Sequence, residues 1–170
     1  MRIVVDILIG GAILGAVYSL IAVGLNLQYG VTRILNVAHG DFLMIGAYLA
    51  YFCVTLLGMN AYSSIVIIGP AMFIIGYLIY SVVLRRMVKT SRSGEDLEFR
   101  SLLLCFGLSF VIQNFAMAIW TANYRGYETH SLGLLTIAGV DFEMNRIVIA
   151  AISVAINIAL FLVLKFARFG

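Results

Sequence analysis

Long apolar runs separated by short polar interruptions organise this chain. A helix needs about 20 mostly apolar residues to cross a bilayer. Five segments reach or approach that length: Ile3–Leu27, Phe42–Leu57, Ser64–Leu84, Ser101–Trp120 and Arg146–Leu164. The second is the shortest and spans only if it begins inside the polar segment before it, near Ala38. Pro70 falls one or two turns into the third and predicts a kink there, because proline has no amide to bond back along the helix. Between the runs lie a polar knot around Asn36–Asp41, a short turn Gly58–Ser63, a charged loop Arg85–Arg100 and a longer polar loop Thr121–Asn145. The pattern predicts an all-α integral membrane protein, a polytopic bundle of about five transmembrane helices in one domain over residues 1–170. No internal repeat is visible across the five spans.

Composition agrees. The chain is 63% hydrophobic and 11% charged, whereas soluble domains run near half apolar and a quarter charged. Its net charge of +3 is no nucleic-acid footprint, since Arg85, Arg86, Lys89, Arg92 and Arg100 are concentrated in one loop. By the excess of basic residues in cytoplasmic loops, that loop faces the cytoplasm, as do Lys165 and Arg168. Thr121–Asn145 carries Glu128, Asp141 and Glu143 against Arg125 and faces outward. Counting back, the knot with Arg33 lies toward the cytoplasm and the N-terminus outside; a re-entrant knot would reverse the first span. Cys53 and Cys105 sit within apolar runs without metal-ligand or redox spacing and are expected as buried thiols. The first run is too long for a signal-peptide core and is expected to remain as a span.

Polar residues near a hydrocarbon core are costly, so their positions carry the functional signal. Asn36, His39 and Asp41, with Gly40 between them, are the best candidates to line a solute path. The plainer alternative has Asp41 capping the second span while Asn36, His39 and Gly40 serve the turn. An electropositive helix start at this depth also suits a solute carboxylate. Gln113 and Asn114 in the fourth span and Asn157 in the fifth are expected to face the bundle interior, as interhelical links or as polar lining. Gly11, Gly15, Ser19, Ala22 and Asn26 form a small and polar stripe on the first span, suited to close packing within the chain or against another subunit. Enzymatic chemistry is poorly supported. His39 and His130 fall on opposite predicted sides, no metal constellation is visible, and there is no GxxxxGK phosphate loop.

The run Gly15-Ala-Val-Tyr-Ser-Leu-Ile-Ala-Val-Gly-Leu-Asn-Leu-Gln-Tyr-Gly30, followed by Arg33-Ile-Leu-Asn-Val-Ala-His-Gly-Asp-Phe-Leu-Met-Ile-Gly-Ala-Tyr-Leu-Ala50, resembles the amino-terminal part of branched-chain amino acid ABC-transporter permeases. The similarity is to the H-type subunit. From residue 51 to 120 helix lengths and the basic loop carry it, and it returns at Arg146–Gly170 with Lys165-Phe-Ala-Arg-Phe-Gly170. The resemblance implies the N-terminal part of a longer family domain in a multi-pass protein of the bacterial cytoplasmic membrane. It implies no cofactor, and as partners a second permease subunit, cytoplasmic ATP-binding subunits and an external solute-binding protein. Related permeases carry urea and short amides. A truncated, non-transporting remnant or scaffold is the competing expectation. Five spans leave the stripe and the mid-helix amides short of neighbours, so an incomplete bundle needing further helices is expected.

Overall fold

The computed structural model describes residues 2–121, 125–126, 133–137 and 140–166. Six α-helices and one hairpin follow in chain order: α1 Arg2–Thr32, α2 His39–Thr55, α3 Ala61–Ile79, α4 Arg85–Thr90, α5 Gly94–Trp120, β1 Leu134–Ile137, β2 Val140–Glu143 and α6 Met144–Phe166. A π-helical turn, Tyr80–Leu84, joins α3 to α4. Four helical stretches are long and apolar enough to cross a membrane: Ile3–Thr32, Ala61–Thr90, Gly94–Trp120 and Met144–Phe166. The 17-residue α2 is shorter, reaching about 26 Å at 1.5 Å per residue. It begins at His39, inside the polar knot, as its short apolar run demanded.

Two expectations need correction. Arg85–Arg100 is not an open loop: helix continues through Thr90, and α5 starts again at Gly94. The restart has a local cause. Ser93 Oγ accepts from Asp96 N at 3.2 Å and Asp96 accepts from Arg92 N at 3.0 Å, so side chains satisfy the first free amides. Thr121–Asn145 also contains structure that hydropathy did not show, an antiparallel hairpin pairing Leu134 with Glu143 and Thr136 with Asp141. Pro70 lies inside α3, and the π-helical departure from α-helical hydrogen bonding comes later, at Tyr80–Leu84. His130, Glu128 and the closing Arg168–Gly170 lie outside the described residues.

The chain divides into two compact units, Met1–Leu27 with His130–Gly170, and Gln28–Thr129. Within the first, β2 leads straight into α6, with Met144 N donating to Gly133 O at 3.1 Å and Arg146 pairing with Glu143 at 2.9 Å. Among its described residues, Phe142 and Ser153 are buried. Asn157 Nδ2 of α6 donates to Ser19 Oγ of α1 at 2.7 Å, an interhelical link of the kind foreseen for Asn157. Gly11 and Gly15, however, are exposed, and a Cβ at either would touch nothing within 4 Å. Among the described residues, the two glycines of the stripe make no close contact, while Ser19 of the same stripe takes the bond from Asn157.

The second unit holds the larger core. Ile34, Leu84 and Cys105 are buried together, with Met87, Val88 and Leu104 packed around them. Cys53 and Cys105 are both free and buried, as expected of apolar thiols. At the other end of α2, Trp120 of α5 stacks on Tyr48 with ring centroids 4.1 Å apart. Many large apolar side chains face outward, Val66 and Phe73 at 76% and 75% exposure among them, which suits a lipid environment and not water.

Candidate functional site

The site forms where α1 gives way to α2. The helix ends at Thr32, and Arg33 adopts a left-handed backbone with φ 56°. A non-glycine residue there costs of order 1 kcal/mol and persists only when its surroundings hold it. Several bonds do so. Arg33 N donates to Tyr29 O at 2.8 Å, Thr32 Oγ1 donates to Gln28 O at 2.7 Å, and Ile34 N reaches Thr32 Oγ1 at 3.3 Å. The bend is also fastened to α5. Leu35 N donates to the fully buried Ser101 Oγ at 3.0 Å, and Ser101 Oγ donates to Glu98 O at 2.8 Å. Tyr29 donates its hydroxyl to Glu98 at 2.9 Å, with Arg33 3.9 Å from the same carboxylate. Ile34 completes the anchor by burying its side chain at 3% exposure.

Four residues after Leu35, α2 begins. Its N-cap is Ala38, which offers no side-chain cap; Asp41 and Phe42 donate their amides to the Ala38 carbonyl at 3.0 and 3.2 Å. Asp41 therefore does not act as the cap. Its carboxylate, in a residue 9% exposed, accepts instead from Gln113 Nε2 of α5 at 3.0 Å. The same Nε2 donates to Ser109 Oγ at 3.0 Å, one turn earlier on α5. Gln113 thus meets the site by its tip, although most of the residue is exposed.

Asn36 and His39 are half-buried and line a cavity of about 320 Å³. Gln28 and Thr32 extend its polar wall along α1, while Met72, Gly76 and Ile79 form a wall from α3. Asn36 Nδ2 lies 3.4 Å from Gln28 Oε1, a long hydrogen bond, and Asn36 Oδ1 is buried with no donor among the described residues. Gly40, between His39 and Asp41, is exposed and lies outside the cavity lining. Asn114 does not join the group. It is exposed among the described residues and donates to its own helix, Nδ2 to Phe110 O at 2.8 Å.

The structure brings Asn36, His39, Asp41 and Gln113 into one unit and adds residues that the sequence reading passed over: Gln28, Ser101 and the α3 face. Ser101 stood at the border between charged loop and apolar run, and Gln28 at the end of an apolar run. Each was a polar residue placed where a helix could bury it, which was the available signal.

Comparison with known proteins bears on this geometry. The family described as "Branched-chain amino acid transport system / permease component" matches residues 7–170. The chain is 29% identical over 161 residues to the high-affinity branched-chain amino acid transport system permease protein BraD of Pseudomonas aeruginosa, covering 92% of this chain and 51% of that protein. It is 30% identical over 109 residues to the permease protein LivH of Salmonella typhimurium, covering 62% of this chain and 35% of LivH. A probable LivH of Methanocaldococcus jannaschii is 32% identical over 101 residues, 58% of this chain and 31% of that protein. The chain spans about half or less of the length of these curated relatives. No solved structure matches it. With a family match running through both compact units and the polar bend, the chain belongs to the branched-chain amino acid transport permease family, as a multi-pass helical membrane protein.

Proposed function

We propose that the chain is a permease subunit of an ABC importer in a bacterial cytoplasmic membrane, contributing part of the translocation path for branched-chain amino acids. Asn36, His39 and Asp41 border that path, and Gln113 holds the Asp41 carboxylate. The observation that carries the reading is the bond between Asp41 and Gln113. An ionisable residue in the first turn of a helix that starts inside the protein is expensive in a membrane, and such residues mark solute paths far more often than lipid faces. ATP hydrolysis comes from separate cytoplasmic subunits, a second permease subunit pairs with this one, and an external binding protein delivers the solute. These partners are what BraD-like and LivH-like similarity suggests for a chain of this family.

The test is uptake of labelled L-leucine by cells that carry the gene with its neighbours. The proposal expects uptake that collapses when cellular ATP is depleted and when this chain is deleted. Unchanged leucine, isoleucine and valine uptake in the deletion strain, with no other permease induced, would refute it.

A further inference from the structure

The helical stretch Ala61–Thr90 runs 30 residues, about 45 Å at 1.5 Å per residue. A bilayer is about 30 Å thick in its hydrocarbon core and about 40–45 Å with both headgroup layers. The last turns of this stretch therefore fall at phosphate depth, and they are α4, Arg85–Thr90. Arg85, Arg86 and Lys89 are exposed there, and their side chains make no hydrogen bond or ion pair among the described residues. Bases on neighbouring segments are matched: Arg100 bonds to Asp96 at 2.7 Å, and Arg33 lies 3.9 Å from Glu98. At about 100° per residue, the three cations share roughly 100° of the surface of α4. The other side of the helix is held in the core, where Leu84 is buried with Ile34 and Cys105 while Met87 and Val88 pack against them. The cationic face is thus fixed outward, and the exposed apolar side chains Leu78 and Val82 precede it on the same stretch.

We propose that this face of α4 binds the headgroup of an anionic phospholipid in the cytoplasmic leaflet, and prefers a lipid with two phosphates, of the cardiolipin type, to one with a single phosphate. Three unpaired cations within about one and a half turns exceed the charge of one phosphodiester, whereas two phosphates leave little of it unmatched. Arginine grips phosphate oxygens with two parallel N–H bonds, and lysine meets them as a point charge. Long basic stems lie along apolar surface while their heads reach the interface, and Leu78 and Val82 offer such surface to the acyl chains of the same lipid. Each basic residue beside an anionic leaflet strengthens the attraction about fivefold, and basic sites on the cytoplasmic side of membrane helices recognise cardiolipin headgroups. The helix dipole explains less. It acts within the last turn before Thr90, where Lys89 lies, and gives no account of Arg85 a turn earlier.

Native mass spectrometry of the protein released from neutral detergent counts each bound lipid and gives its apparent Kd. The titrants are tetraoleoyl cardiolipin, dioleoyl phosphatidylglycerol and dioleoyl phosphatidylcholine. The expected result is a first cardiolipin bound at least tenfold more tightly than phosphatidylcholine and at least threefold more tightly than phosphatidylglycerol. Replacing Arg85, Arg86 and Lys89 together by glutamine lowers cardiolipin affinity at least tenfold and leaves phosphatidylcholine binding unchanged, a selective loss that misfolding does not produce. Arg100→Gln, which removes a base already paired with Asp96, leaves cardiolipin affinity unchanged. Cardiolipin bound no better than either of the other lipids would overturn the proposal, as would an equal fall in Arg100→Gln. Cardiolipin affinity unchanged in the triple variant would overturn it too, and leave this face to a protein subunit.

Discussion

Removing the donor that Gln113 provides to Asp41 isolates the bond that joins α2 to α5 at the site. Asp41 is 9% exposed and Gln113 Nε2 is the donor it has among the described residues, at 3.0 Å. A hydrogen bond to a charged group contributes about 1.5–3 kcal/mol in soluble proteins. Interhelical bonds measured within membranes average about 0.6 kcal/mol and reach about 1.7, because the unfolded state in lipid also finds partners. Burial and charge place this pair at the upper end of the membrane range, so a coupling of about 1.5 kcal/mol is expected, close to tenfold in the unfolding equilibrium. The measurement is a double-mutant cycle of Asp41→Ala and Gln113→Ala by reversible SDS unfolding in bicelles. The chain has one tryptophan, and Trp120 on α5 stacks on Tyr48 of α2, so its fluorescence reports on the same helix pair. A coupling below about 0.3 kcal/mol, within the additivity expected of independent sites, would refute the claim that this bond fastens the site.

Ser101→Ala should lower stability by about 0.5–1.5 kcal/mol, because it removes the part-buried bond that ties the Leu35 amide to the fully buried Ser101 hydroxyl; an unchanged thermal midpoint in detergent would contradict this. Gly15→Leu should leave the stability of the isolated chain unchanged, since nothing lies within 4 Å of an added Cβ, yet reduce co-purification with a second permease subunit; equal recovery of the partner would assign the stripe to lipid. A cysteine at position 92 should resist an impermeant thiol reagent applied to intact cells, whereas one at position 127 should react, and the reverse pattern would invert the orientation deduced from the basic residues.

Most of the helical frame was legible because a bilayer imposes one rule on length and apolarity. Even the short α2 could be placed, since its apolar run reached a spanning length only by starting in the knot, and it starts at His39. Hydropathy could not see the hairpin Leu134–Glu143, whose four-residue strands carry too few residues for a pattern. Nor could it see that α4 continues the helix through basic residues, because charge marks the membrane boundary and not the end of a helix. The candidate site was half legible. Asn36, His39 and Asp41 stood out by their cost in lipid, but capping and cross-helix bonding predict the same aspartate at a helix start. Only the geometry shows the carboxylate turned toward Gln113. Gln113 and Asn114 were indistinguishable as neighbours in sequence; the rotation of α5 sends one to Asp41 and the other back to Phe110 O.

The central claim, that the bend from Asn36 to Asp41 borders a solute path, is tested most directly by initial rates of labelled L-leucine uptake in intact cells. The comparison is between the natural protein and a variant with Asn36, His39 and Asp41 all replaced by alanine, at matched amounts in the membrane. The account predicts a fall of at least tenfold with the protein still inserted, because losing the Asp41–Gln113 bond costs about 1.5 kcal/mol, while the anchor of Ile34, Leu84, Cys105 and Ser101 does not involve these three side chains. Uptake within twofold of the natural protein would contradict it and reduce the polar bend to turn chemistry.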